Sequence, residues 1–109
     1  MLERIVESCE IVIDRPRGSY HPKHQSLYYE IDYGHLKDTM SSDGSAIDIW
    51  VGDSKGLGIT AVCVMVDEYR KDSEIKILYD CNEVEINKIS LFHNQHSMRG
   101  LVIRNERNT

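Results

Sequence analysis

The chain lacks any excess of basic charge. Thirteen Lys and Arg stand against 18 Asp and Glu, a formal net charge of -5, and no local Lys/Arg cluster breaks that balance. A nucleic-acid surface normally needs a basic stripe. Aromatic residues for base stacking are also few, at 7%, so no nucleic-acid partner is expected. Cysteine is scarce: Cys9, Cys63 and Cys81 are odd in number, far apart and without a C-x-x-C step. That argues against a disulfide framework and for a reducing compartment, the cytoplasm. Long apolar runs are missing too. The longest, around Ile59–Val66, is far too short to span a bilayer, so no membrane partner is expected. The opening MLERIVESCEIVI carries acids within its apolar part, unlike a signal peptide. There is no repeat, and Gly52–Gly58 lacks the residue order of a phosphate-binding P-loop.

What is present reads as one domain of 109 residues, with 40% hydrophobic residues. Glu10–Asp14 is expected to be a strand closed by the Arg15–Ser19 turn, and Tyr20–Ser26 an ordered loop. Ala46–Val51, rich in β-branched and aromatic residues, suits a strand. Ile59–Glu68 is a second, nearly apolar strand, with Glu74–Tyr79 as its hairpin partner. The one good helix runs from Glu83 to about Asn94. Asn82 is its N-cap and Glu85 completes a capping-box pair, while Ile86, Ile89 and Phe92 form its apolar face. Met98–Arg104 closes the chain as a short strand. Several strands, one helix and a terminal strand make a small α+β, mainly β domain, for which a curled antiparallel sheet or barrel is the natural closure.

The stretch Tyr28–Gly52, YYEIDYGHLKDTMSSDGSAIDIWVG, reads most like a site. Asp43 and Asp48 flank a Ser/Asp/Gly turn, and carboxylates at a loop-to-strand junction suit a hard divalent cation. Ser45 sits between them where a third carboxylate could stand. Asp14, Asp67, Asp72 and Glu74 also fall at strand ends or turns. Asp48 lies between apolar Ile47 and Ile49 and so points to the opposite face, where an inward carboxylate needs a partner or a metal. Against this, most Asp and Glu simply solvate loops. His21-x-x-His24 and His93-x-x-His96 are weak signals for zinc; His21 and His93 could equally be substrate-side residues.

EIVIDRPRGS, the Tyr28–Gly52 stretch and VMVDEYRKDSEIKIL together resemble the family I soluble inorganic pyrophosphatases. The second block is the most specific, with Tyr29, Tyr33, Gly34, Thr39, Asp43, Gly44, Asp48 and Val51 in register with the family pattern. The resemblance implies an OB-like five-stranded β-barrel with one C-terminal helix, and Mg²⁺-dependent hydrolysis of pyrophosphate or a related phosphoanhydride. It further implies Asp43, Asp48 and Asp67 as Mg²⁺ ligands, joined by Asp72 or Glu74. Lys76 would hold a phosphate oxygen, Tyr33 would hydrogen-bond near the nucleophile, and Asp14 would stand for a glutamate. Self-association is the family's expectation.

The departures are specific. Ser45 replaces the carboxylate thought to act on the nucleophilic water, and a hydroxyl is no carboxylate base near neutral pH. Ser19–Tyr28 is too short for the hairpin that carries a lysine, a glutamate and an arginine; Arg17 or Lys23 could supply part of that charge. Glu30 stands where the family has proline. The chain looks closer to a short branch that shares the Arg15–Pro22, Asp32–Leu36, Ile47–Trp50 and Phe92–Asn94 segments. Two readings follow: an active phosphoanhydride hydrolase with an altered site, or a catalytically degenerate member that binds phosphate or metal as a regulator or subunit.

Overall fold

A computed structural model describes residues 1–41 and 43–106. In chain order the elements are α1 (Leu2–Ser8), β1 (Ile11–Arg15), β2 (Ser19–Tyr20), β3 (Tyr28–Tyr29), β4 (Asp32–Leu36), β5 (Asp48–Val51), β6 (Ile59–Asp67), β7 (Asp72–Tyr79), α2 (Glu83–Phe92) and β8 (Gly100–Arg104). Six strands form one sheet in the order β1-β4-β5-β7-β6-β8, and β2 and β3 pair as a separate ribbon. All the pairings are antiparallel except β5 with β7, which is parallel.

The sheet has two apolar faces because its central strands are apolar at successive positions, which point to opposite sides. On β5, Trp50 joins one core cluster and Ile49 the other; on β7, Leu78 and Ile77 divide in the same way. The first cluster packs against Ile86 and Ile89 of α2. The second packs against Val6 and Leu2 of α1. The helix α2 begins where the sequence places it. The Asn82 side chain accepts from the Glu85 amide at 2.9 Å, and the Glu85 carboxylate accepts from the Asn82 amide at 3.0 Å, a reciprocal capping box.

The small α+β, mainly β class stands, but the five-stranded barrel does not. Among the described residues the sheet is open, with β1 bonded to β4 alone and β8 to β6 alone. A helix on each face buries the apolar surface that a barrel would bury by closing on itself. Four elements escape sequence patterning: the two-residue strands β2 and β3, the helix α1 and the strand β4. The helix α1 spans only seven residues, just under two turns, and Met1 offers it no side-chain cap. The β4 segment, Asp-Tyr-Gly-His-Leu, contains two strand-disfavouring residues and is held by pairing on both sides.

Gly34 explains the Tyr-Gly step in that strand. A Cβ built there would collide with the backbone of Val12 and lie 2.8 Å from the Ile13 Cα on the neighbouring strand. A backbone cannot swing aside as a side-chain tip can. Gly34→Ala is expected to lower the unfolding free energy by at least about 2 kcal/mol, the scale of overpacking at a constrained site. Urea unfolding of both proteins measures this; an unchanged midpoint would show that β1 can lift away from β4.

Candidate functional site

Beyond the apolar cluster, the face of the sheet that carries α2 becomes polar. On β5 Asp48 shares the face of Trp50; on β7 Glu74 and Lys76 share the face of Leu78; on β4 Tyr33 and His35 lie alongside. Register does the rest: Asp48 stands opposite both Lys76 and His35, and Tyr33 stands opposite Trp50.

The Lys76 ammonium is the centre of this group. It donates to Asp48 Oδ2 at 2.7 Å, to the Tyr33 hydroxyl at 2.8 Å and to Glu74 Oε1 at 3.0 Å. The Tyr33 hydroxyl itself donates to Asp48 Oδ2 at 2.7 Å, and the ammonium lies 5.4 Å from the Tyr33 ring centroid. Burial alone would lower the Lys76 pKa, but the Tyr33 oxygen and the Asp48 carboxylate outweigh it and the pKa is raised. Burial raises the Tyr33 pKa, with Lys76 opposing. Near neutral pH Lys76 is therefore an ammonium and Tyr33 a phenol. Across from Lys76 on β6, burial lifts the Cys63 thiol to about 11, which makes it a packing residue rather than a nucleophile.

The Ser41–Ser45 turn brings a third carboxylate. Asp43 Oδ1 accepts from the Ser41 hydroxyl at 2.5 Å and from the Ser45 amide at 2.9 Å. Those hydrogen bonds, the Ser41 hydroxyl first, push the Asp43 pKa down to about 2, and the Glu74 carboxyl lies close enough to contribute. Ser45 thus serves Asp43 through its backbone amide. Asp14 is the extra residue of a bulge in β1 and meets His35 Nδ1 at 2.7 Å.

The structure brings together Tyr33, Asp43, Asp48, Glu74 and Lys76, with Asp14 nearby through His35. Asp67 and Asp72 instead face each other at the turn end of the β6–β7 hairpin, and Asp72 lies four residues, about 13 Å of strand, from Lys76. Asp67 Oδ1 accepts from the Tyr69 and Arg70 amides at 2.9 and 3.1 Å, shaping the turn, and Asp72 pairs with Arg70 at 3.5 Å. Arg17 is committed elsewhere, to Asp53 at 2.5 Å and Glu85 at 3.5 Å. Lys23 lies on the exposed loop, its amide donating to His21 Nδ1 at 3.0 Å.

Sequence reasoning missed His35 and the packing role of His93. Alternation in β4 could have found His35, two residues from Tyr33. His93 is buried and accepts from Trp50 Nε1 at 3.0 Å. Trp50, Tyr29, Tyr33 and Phe92 form a continuous ring cluster with centroid separations from 4.5 to 5.8 Å. Asn94 clips β8, donating to the Gly100 carbonyl at 2.9 Å and accepting from its amide at 3.2 Å. The Phe-His-Asn segment is therefore a fastening between α2 and the sheet.

No known family profile matches the sequence, and no curated protein does. Among solved structures the chain is similar to an inorganic phosphatase from Anaplasma phagocytophilum. The TM-score is 0.58 at 18% identity, over 87% of this chain and 80% of that one. At that identity the likeness speaks for the fold.

Burial, with the nearby Lys76 charge, pushes the His93 pKa from 6.5 down to about 3. The folded protein holds the ring neutral, while the unfolded chain takes up a proton as pH falls below 6.5. Stability is therefore lost on the acid side, by up to about 1.4 kcal/mol per pH unit. Denaturant unfolding between pH 7 and 5 should show this slope, and His93→Gln should flatten it. An identical acid limb in the variant would acquit His93.

Proposed function

We propose that the protein is an inorganic pyrophosphatase-like hydrolase, acting with Mg²⁺ on pyrophosphate or a related phosphoanhydride. One observation carries this reading: Lys76 meets Asp48, Tyr33 and Glu74 at 2.7–3.0 Å, with Asp43 beside Glu74, on a fold similar to that of an inorganic phosphatase. The donors have the chemistry the metal needs, since Mg²⁺ takes carboxylate and water oxygens. Asp43, Asp48 and Glu74 would hold it, with Asp67 and Asp72 as further candidates along the hairpin. Among the described residues no three acid, His or Cys side chains already stand in a ligating arrangement. Lys76 supplies the positive charge that two of these carboxylates need.

When bound, the metal supplies an activated water and neutralises charge on the phosphoanhydride. The protein's own groups do the rest. Asp48 and Glu74 would hold the cation, and the Lys76 ammonium between them would hold a phosphate oxygen. Tyr33, kept protonated by burial, is then a hydrogen-bond donor beside it. Asp14, oriented by His35, offers a carboxylate from β1, and Lys23 adds charge at the loop. The proposal is of a cytoplasmic, self-associating protein; no described helix is long and apolar enough to cross a membrane.

A second reading rests on Ser45. It serves the turn through its backbone, the amide donating to Asp43 and the carbonyl accepting from Ser41, and a serine side chain lends no carboxylate to a water. In that reading the chain binds phosphate or metal without efficient turnover.

Phosphate release from pyrophosphate with Mg²⁺ separates the two. The enzyme reading expects turnover that falls about a hundredfold or more in Asp48→Asn, at or above the scale seen on disturbing a metal ligand's support. Turnover absent, or indifferent to that change, sinks it. Ser45→Asp is the companion: a gain of orders of magnitude over a nearly inert parent establishes the degenerate reading.

A further inference from the structure

We infer that Arg15 is a phosphate ligand of this site, supplying the uncommitted positive charge that Lys76, enclosed by two carboxylates, does not offer by itself. The inference rests on the phosphoanhydride reading above but concerns anion binding, which can occur with or without turnover.

The bulge in β1 is the first ground. The β1–β4 ladder runs Ile11↔Leu36, Val12↔His35, Ile13↔Gly34, and then skips to Arg15↔Tyr33. An unbroken ladder would set Asp14 opposite Tyr33 and turn Arg15 to the other face of the sheet, because a slip of one residue reverses every side chain. The extra residue changes the phase. Arg15 comes to share the face of Tyr33, while Asp14 reaches His35 at 2.7 Å. Bulges do this where a side chain has to be re-aimed.

Charge is the second ground. Ion pairs commit Arg17 to Asp53 and Glu85, Arg70 to Asp72, Arg104 to Glu83, and Lys76 to Asp48 and Glu74. Arg15 has no ion pair among the described residues. Its Nη1 donates to the Asp14 carbonyl at 3.1 Å, and its guanidinium lies beside the Tyr29 hydroxyl. A guanidinium has five N–H donors in a planar fork that suits two phosphate oxygens at once.

Position is the third. Tyr29 stacks near Tyr33, ring centroids 5.6 Å apart, and its phenol feels Arg15, Lys76 and Asp48 together. His21 in turn feels both Arg15 and Lys23. A phosphoanhydride approaching the Lys76 quartet would meet Arg15 at its edge.

The test is titration calorimetry with inorganic phosphate on the wild type, Arg15→Ala and Arg15→Lys, with circular dichroism to establish that each is folded. We expect Arg15→Ala to weaken phosphate binding about tenfold or more, the worth of one charge-assisted bidentate contact, and Arg15→Lys to fall between. If the alanine variant unfolds, the lysine variant carries the test, since it keeps the charge and loses the fork. Equal affinity in the folded variants, or no phosphate binding by the wild type, overturns the inference. Pyrophosphate turnover keeps the two proposals apart. Arg15-dependent phosphate binding without any hydrolysis removes the enzyme and leaves the ligand. Hydrolysis at an unchanged KM in the folded variants removes the ligand and leaves the enzyme.

Discussion

The ion pair between Lys76 and Asp48 is the constraint around which the site is organised. A buried ammonium is tolerated only when it is paired and hydrogen-bonded, and Lys76 is buried. Its partner comes from a strand 28 residues away. The parallel register of β5 and β7 sets Asp48 opposite Lys76, so the sheet cannot slip here without stranding a charge. Tyr33 joins from the other neighbour of β5 and closes the triangle. Three strands are thereby tied at their polar ends, just as Trp50, Leu78 and their neighbours tie them in the core.

The same arrangement limits what the site can do at rest. Lys76 faces two carboxylates and a third, Asp43, lies by Glu74. The local balance is negative, as is the whole chain at -5. An anionic substrate reaches such a place only with additional positive charge, from a bound cation or from the protein's own guanidinium and ammonium groups. The bulge at Asp14 and the close approach of β1 to Gly34 are the backbone features that bear on this supply, since they set the face on which Arg15 stands.

Much of the site was legible in the primary structure, but unevenly. Asp43 and Asp48 could be picked out from the turn and strand alternation, Tyr33 and Lys76 only from the family resemblance, and the four do converge. Asp67 and Asp72 shared the same surface signal, acids at a hairpin, yet they shape and flank the turn. An Asp suits a tight turn and a ligand sphere equally, because both ask it to accept hydrogen bonds or charge. Arg17 illustrates the same ambiguity for cations. Its neighbour two residues earlier, Arg15, pairs with Tyr33 and owes its face to the bulge.

By itself the order of residues determined the local elements: the capping box at Asn82 and Glu85, the apolar β6–β7 hairpin, the turn around Gly44 and the α+β class. These depend on contacts within a few residues, where propensity and period are strong. Whether the sheet closes, where α1 packs, which carboxylates meet Lys76 and which arginine faces the site were decided only in tertiary structure. Those outcomes depend on strand register and a one-residue bulge, which act between segments tens of residues apart and leave no periodic trace in the chain.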